Sequence, residues 1–578
     1  MLYLYYSVFF LYKFGHIFLV FFYSLSKSFM FVPHFVKSLL LSLLFLLPVA
    51  AFAQDNQEDA SQKGSISGSF QTDFQYYLKD TVIDAALPDE RVGSNSYLTL
   101  MYQRGGLRAG VRYEAYFPAL LGFPLNLTGY GIVNRFVSYE KDFIELTAGH
   151  FYEQFGNGLV LRSLEERPLG IDNAIDGARV KIKLKDKVKV TTLIGKHRDG
   201  FRLSEGTVRA VSGEFFLDKI LKIRPESNTS LNLSLNYVSK FQPYDGGLDN
   251  VPVNSRAYSA RLLASKGRFG INAEYVRKQT DPNKVNQYSF AGGDMMYVNL
   301  SYNQKGLGIN LSAQSMHNMN FRTERDAIDN RTIINFVTAN TKQQTYRLLT
   351  LYPYTTQVNG EVAYQIDVLY KIKKGTWLGG RYGLDVAFNA SICNELDTAG
   401  IYQNPQQSEI FKMGRKNYYQ DFNLELTKKW SPKLKTILYL VHLKYDKDQI
   451  EGRRGFGVVT SNSVIVENVI KMSKKRSLRI ELQHLSTKQD FGNWGMALAE
   501  LGLGGKWFVY ASDEVNYHEF GSSKKAKHFY AGGLVYVQGG TRLSLNYARQ
   551  REGLVCVGGI CRLVPASNGF GISVNTTF

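Results

Sequence analysis

The sequence predicts an all-β fold: a transmembrane antiparallel β-barrel of about 24 strands, bounded at 22 to 26. Three observations predict it. Apolar and polar residues alternate with period two from residue 64 to the C-terminus. Short turns alternate with long connections along the chain. After residue 53 no run approaches the roughly 18 apolar residues that a spanning helix requires. Composition agrees, with 37 Tyr, 37 Phe and 52 Gly against only 14 Pro in 578 residues, so strand formers dominate.

The N-terminus comes first and differs from the rest. Residues 1–53 hold Lys13, Lys27 and Lys37 and no acid. Lys37 is followed by an apolar run and by Ala51-Phe52-Ala53, the layout of a secretory signal with its cleavage site. The mature chain is expected to begin near Gln54, with 54–63 a short periplasmic segment and 64–578 one barrel domain. A signal needs no second apolar stretch in front of it, so Met30 is an alternative start; a retained N-terminal anchor is the other reading. Removing the three lysines takes the formal net charge from +19 to about +16. In an exported chain this argues against nucleic acid and for anionic solutes or lipopolysaccharide phosphates, or simply a basic surface.

The strands follow. In "LRAGVRYEAYF", Leu107, Ala109, Val111, Tyr113 and Phe117 oppose Arg108, Gly110, Arg112 and Glu114. "SLNLSLNY" sets Leu231, Leu233, Leu235 and Tyr237 against Ser230, Asn232, Ser234 and Asn236. "LGINLSAQ", "SLRIELQH" and "TRLSLNYA" repeat the pattern, with Arg479 and Arg542 on the polar faces. In lipid every backbone amide needs an internal partner, so such a sheet must close on itself, apolar face outward and polar face to the lumen. Arg108, Arg112, Arg479 and Arg542 are therefore expected to line the lumen. Tyr76, Phe117, Phe136, Tyr139, Tyr445, Tyr510 and Tyr547 are read as girdle aromatics at the headgroup level.

The connections give the count. Eleven are short, among them 104–106, 140–142, 185–187, 266–268, 431–433 and 539–540, with 219–229 the longest. Long ones intervene at 79–93, 151–176, 318–356, 392–416, 447–459 and 553–567. Short periplasmic turns, long extracellular loops and both ends in the periplasm make twelve hairpins, or 24 strands.

Segment 151–176, "FYEQFGNGLVLRSLEERPLGIDNAID", breaks the alternation. It carries Glu153, Arg162, Glu165, Glu166, Arg167, Asp172 and Asp176. Folded inward, these opposed charges would constrict the lumen and select small solutes. Folded outward, they make a salt-bridged external loop or a docking site for a partner protein. "GNGLVLR" is a candidate lumen-lining strand. Cys556 and Cys561, two glycines apart in an oxidising compartment, suit a small disulfide, and Cys393 is left over.

Catalytic signals are weak. "GSISGS" at 64–69 matches a nucleophile elbow only in part and lies at a strand start. No H-E-x-x-H or phosphate loop occurs, and the nine histidines are scattered, with His484 on an apolar face. The chain is read as a non-enzyme without cofactor or metal.

The terminal "GFGISVNTTF" puts Phe570, Ile572, Val574 and Phe578 on one face and is expected to pair with "GSFQTDFQYYL" across the seam. The signal, the hairpins and this ending resemble a Gram-negative outer-membrane protein. That resemblance implies a C-terminal strand read by the barrel-assembly machinery. "GHFYEQFGNGLVLRSLEERPLGIDNAIDGARV" and "GGICRLVP" are similar to a porin-like barrel family of the Bacteroidota, over essentially the whole mature chain. The expected role is a porin-like channel for small solutes, anionic ones among them; a non-conducting assembly, secretion or docking barrel is the alternative.

Overall fold

The computed structural model describes residues 64–85, 87–124, 127–328, 330–398, 410–518 and 525–578. The expected signal at 1–53, the segment at 54–63 and residues 399–409 of the loop at 392–416 lie outside the described residues. Within 61–577, 24 strands form one sheet in which every pairing is antiparallel. Consecutive barrel strands pair, and the first strand, Ser65–Tyr77, takes the second on one edge and the last, Ser567–Thr577, on the other. Closure leaves no edge, which is the fold of an outer-membrane barrel. The seam register sets Phe70 opposite Thr576, Phe74 opposite Ile572 and Tyr76 opposite Phe570.

All eleven short turns fall where the charged and glycine signals stand. Gly105, Asp142, Gly267 and Gly539 take positive φ there, the backbone that tight hairpins need. The longest turn holds one helical turn, Leu217–Ile220. No helix among the described residues is long and apolar enough to cross a membrane. On the outer face apolar residues such as Ile132, Leu235 and Leu545 stand exposed. On the inner face Ser212 donates to Asn236 at 2.7 Å, and Asn236 donates to Ser259 at 2.8 Å, a polar ladder across three strands.

The girdle divides. Tyr139 and Tyr547 face outward, Tyr547 packing on Phe570 at 4.9 Å between ring centres, and Phe117 lies against Tyr130 at 5.6 Å. Tyr76 shares the outer face with Phe570. Three members are corrected. Phe136 shares its face with buried Asn134 and Ser138 and covers inward Gly110. Tyr510 covers inward Gly533. Tyr445 is wholly buried between Tyr352 and Tyr419 in the lumen. In each the period-two face, not the aromatic ring, decides the side.

The core of the molecule sits inside the barrel. Toward the long-loop end the lumen face turns apolar, at Val208, Val238, Val276, Met295 and Met316. Against these pack Val160 and Leu161 from one loop and Phe321 and Ile334 from another. Long connections fill the bore, as a barrel wider than a simple porin requires if it is not to stand open.

Candidate functional site

The segment after strand Ile144–Phe151 enters the lumen through two miniature ribbons, Gln154–Phe155 with Leu161–Arg162 and Glu165–Glu166 with Ile171–Asp172. "GNGLVLR" is not a lumen-lining strand. Gly156 and Gly158 take φ of +55° and +87° and turn the chain, so that Leu159, Val160 and Leu161 become buried packing. The turn reaches a distant part of the wall. The Asn157 amide donates to Glu274 at 2.7 Å, and the Asn157 side chain donates to Asn272 at 3.3 Å.

Three of the seven charged candidates, Glu165, Arg167 and Asp172, share one network with wall residues. Arg112, on strand Leu107–Tyr116, pairs with Glu114 at 2.8 Å and with Glu165 at 2.9 Å. Asp172 contacts both Arg112 and Arg198, and accepts from the Tyr152 hydroxyl at 3.0 Å. Arg198 also pairs with Glu114. Arg167 bonds Glu165 at 2.5 Å and Gln71 at 2.6 Å and lies 4.3 Å over the Tyr97 ring. Burial pushes the Asp172 carboxyl up, but the guanidiniums of Arg198 and Arg112 outweigh it and hold it below its ordinary value. These charges compensate each other away from solvent. They clasp the loop to the wall.

The other candidates lie apart. Glu153 meets Arg179 at 3.0 Å and Lys181 at 2.8 Å. Arg162 stacks 4.6 Å over Phe336. Glu166 pairs with Ile171 through the backbone. Asp176 is corrected: it faces the outer wall with Leu146, Ala178 and Val180, 3.7 Å from both His150 and Arg135. The loop's last two residues already belong to strand Ile175–Leu184, so period two returns there and turns Asp176 away from Arg179. Of the lumen cations, Arg479 is tied to Glu467 at 3.1 Å and to Glu481. Arg108 shares the face of Arg112, and Arg542 shares that of Ser544 and Asn546 and is exposed. Phe570, Ile572 and Val574 lie on the outer face of the last strand, opposite Tyr76, Phe74 and Thr72, and Phe578 follows its end.

Two further segments complete the fill. Residues 318–328 and 330–359 cross the bore, with the amide of Phe336 donating to Gly158 at 3.0 Å and the amide of Arg162 to Ile334 at 2.8 Å. The hairpin Gly553–Val557 and Ile560–Val564 carries the Cys556–Cys561 disulfide. It is bound to the second segment by the amides of Ala339 and Thr356, which donate to Gly558 and Gly559 at 3.1 and 3.2 Å. Arg562 donates to the Pro168 carbonyl at 2.6 Å and joins it to the first segment. Arg347 and Arg551 both grip Glu514 of the wall, at 2.8 and 2.7 Å.

Between the second segment and the hairpin lies a cavity of about 410 Å³. Lys342, Arg347 and Arg551 line it, both arginines held by Glu514 and Lys342 lying 3.9 Å from Glu425; Thr341 and Gln343 add hydrogen-bonding groups, and Tyr419 an aromatic wall. Sequence reading missed this cavity, because its residues meet only when two segments some two hundred positions apart fold inward. Among the described residues no group of three or more His, Cys, Asp or Glu could hold a metal.

The sequence model of a family of unknown function (DUF6029) matches residues 35–578. The chain belongs to that family. No curated protein matches it. Among solved structures this DUF6029 chain is similar to the P pilus usher (PapC) translocation pore, at 8% identity and a TM-score of 0.42, covering 89% of this chain and 99% of that one. It is similar to the siderophore receptor PirA from Pseudomonas aeruginosa, at 8% identity and a TM-score of 0.39, covering 90% and 82%. It is also similar to the outer membrane protein opdK from Pseudomonas aeruginosa, at 11% identity and a TM-score of 0.35, covering 89% and 98%.

Proposed function

We propose that the protein is an outer-membrane channel for small, anionic solutes, in a Gram-negative envelope of the Bacteroidota type. The observation that carries this is the nature of the fill. Inward-folded segments narrow a wide barrel yet leave a cavity of about 410 Å³ lined by Lys342, Arg347 and Arg551 and by hydroxyl and amide groups. An inert stopper would seal with apolar side chains; a polar cavity lined by three basic side chains and hydrogen-bonding groups suits the passage of hydrated anions. The basic balance of the chain favours the same sign of solute. Lipid, the barrel-assembly machinery and the solute are the partners of this reading.

Reconstitution in planar bilayers tests it. Discrete conductance steps with a reversal potential toward anions are expected; a sealed barrel overturns the proposal. Gly156→Ala sharpens the test. At φ +55° a Cβ would stand 2.6 Å from the Glu274 carboxylate, so the tip is dislodged and conductance should rise. The second reading is a non-conducting docking or secretion barrel. It is favoured by the burial of Val160, Leu161 and Ile334, which interlock two segments across the bore. It predicts no conductance and a stoichiometric protein partner on purification.

A further inference from the structure

Three adjacent strands, Arg202–Phe216, Thr229–Phe241 and Asn254–Lys266, carry one continuous outer face. From the short-turn end the middle strand presents Leu231, Leu233, Leu235 and Tyr237. Tyr237 opposes Tyr258 with ring centres 5.3 Å apart. One step beyond this aromatic pair the chemistry changes abruptly. Ser239 lies directly between Arg209 on one strand and Arg256 on the other. Both arginines are exposed, and Arg209 lies 5.4 Å over the Phe241 ring. Among the described residues neither guanidinium has a carboxylate partner, whereas the neighbouring outward Arg277 has Asp294 at 3.1 Å.

We infer that Arg209 and Arg256, which flank the buried Ser239, form a binding site on the outer wall for the phosphate of a lipid headgroup. The inference rests on the membrane-spanning reading of the barrel and is independent of conduction. An arginine on a lipid-facing wall is costly at the bilayer centre and cheap at the headgroup level, and the aromatic pair places these two at that level. Strands two apart are separated by about 10 Å, so two long side chains converge over the small Ser239 between them. A guanidinium fork matches phosphate oxygens bidentately, and two forks fit one doubly charged phosphate. The lipid beneath the phosphate would lie on the leucine and tyrosine face, which a free phosphate would leave bare.

The test uses the full chain in phosphatidylcholine nanodiscs doped with diphosphorylated lipid A, with bound lipid counted by native mass spectrometry. Retention is expected for the wild-type chain and about tenfold weaker for R209A/R256A, with partial rescue by R209K/R256K. Dephosphorylated lipid A should bind both proteins equally poorly. Equal retention by wild type and double variant overturns the site, as does displacement of the lipid by millimolar inorganic phosphate. Failure of the chain to enter the nanodisc at all would overturn the membrane reading itself, a separate outcome.

Discussion

Asp172 shows how one residue is made structural by its surroundings. Its carboxylate faces two guanidiniums, Arg112 and Arg198, and a tyrosine hydroxyl, with little water to share the charge. Removing one member of such a buried pair leaves the others uncompensated, at a cost of about 3 kcal/mol or more. Asp172→Asn should therefore lower the denaturant midpoint of the folded barrel at neutral pH. The acid response follows with a definite sign. Asp172 and Asp281 both titrate below the ordinary Asp value of 3.8; for Asp281 burial pushes up, and the ammonium groups of Lys240 and Lys278 more than reverse it. A depressed carboxyl stabilises the fold above its unfolded value and loses that contribution as pH falls through the folded value. Wild-type stability should hold down to about pH 4 and fall below it, and D172N should fall less steeply over that interval. Equal midpoints at pH 7 and parallel acid slopes would show that Asp172 does not hold the loop. At this scale the sequence was only partly legible. The charges of 151–176 announce themselves, but their partners Glu114 and Arg198 sit on wall strands, and period two cannot say which wall residue a loop will meet.

At the scale of elements, turns and strands were legible because their causes are local. A hairpin turn needs positive φ or a polar tip, and a half-buried strand needs alternation. The fill was not, because its causes are long-range, yet it left a trace. On strand Thr229–Phe241 the lumen face runs Ser230, Asn232, Ser234, Asn236 and then Val238. On strand Leu307–His317 it ends Ser312, Gln314, Met316. A lumen face that turns apolar only toward the long-loop end is the mark of something packed there. The disulfide hairpin belongs to this internal layer. A crosslink closing so short a loop stabilises it by about 2 kcal/mol, a local effect that does not reach the barrel. Cys556→Ser with Cys561→Ser should leave the denaturant midpoint of the barrel unchanged. It should open the hairpin, seen as protease cleavage within 553–564 and as noisier conductance. Cleavage at the same rate in oxidised and reduced protein would show that hydrogen bonds to Ala339 and Thr356 suffice.

For the whole molecule the decisive contact is the one furthest apart in sequence. Closing some 500 residues into a ring carries a large loop entropy, so the seam forms only after most neighbouring pairs exist. Ser573 donates to Asp73 at 2.5 Å across that seam, and Phe570 is held between Tyr76 and Tyr547. The terminal strand is therefore shared by two neighbours, Ser65–Tyr77 and Thr541–Gln550, and among the described residues no other strand joins the first barrel strand to the last hairpin. The register is testable directly. Phe74 and Ile572 stand opposite each other on the outer face, where cross-strand side chains lie within disulfide reach. Phe74→Cys with Ile572→Cys should crosslink on mild oxidation and change gel mobility as a closed loop does. Phe74→Cys with Val574→Cys, displaced by one pair along the same face, should crosslink far more slowly. Equal rates would mean that the seam slides. Truncating Phe578 addresses the step before closure: the shortened chain should still be exported but close more slowly, measured as the delayed appearance of heat-modifiable, folded protein.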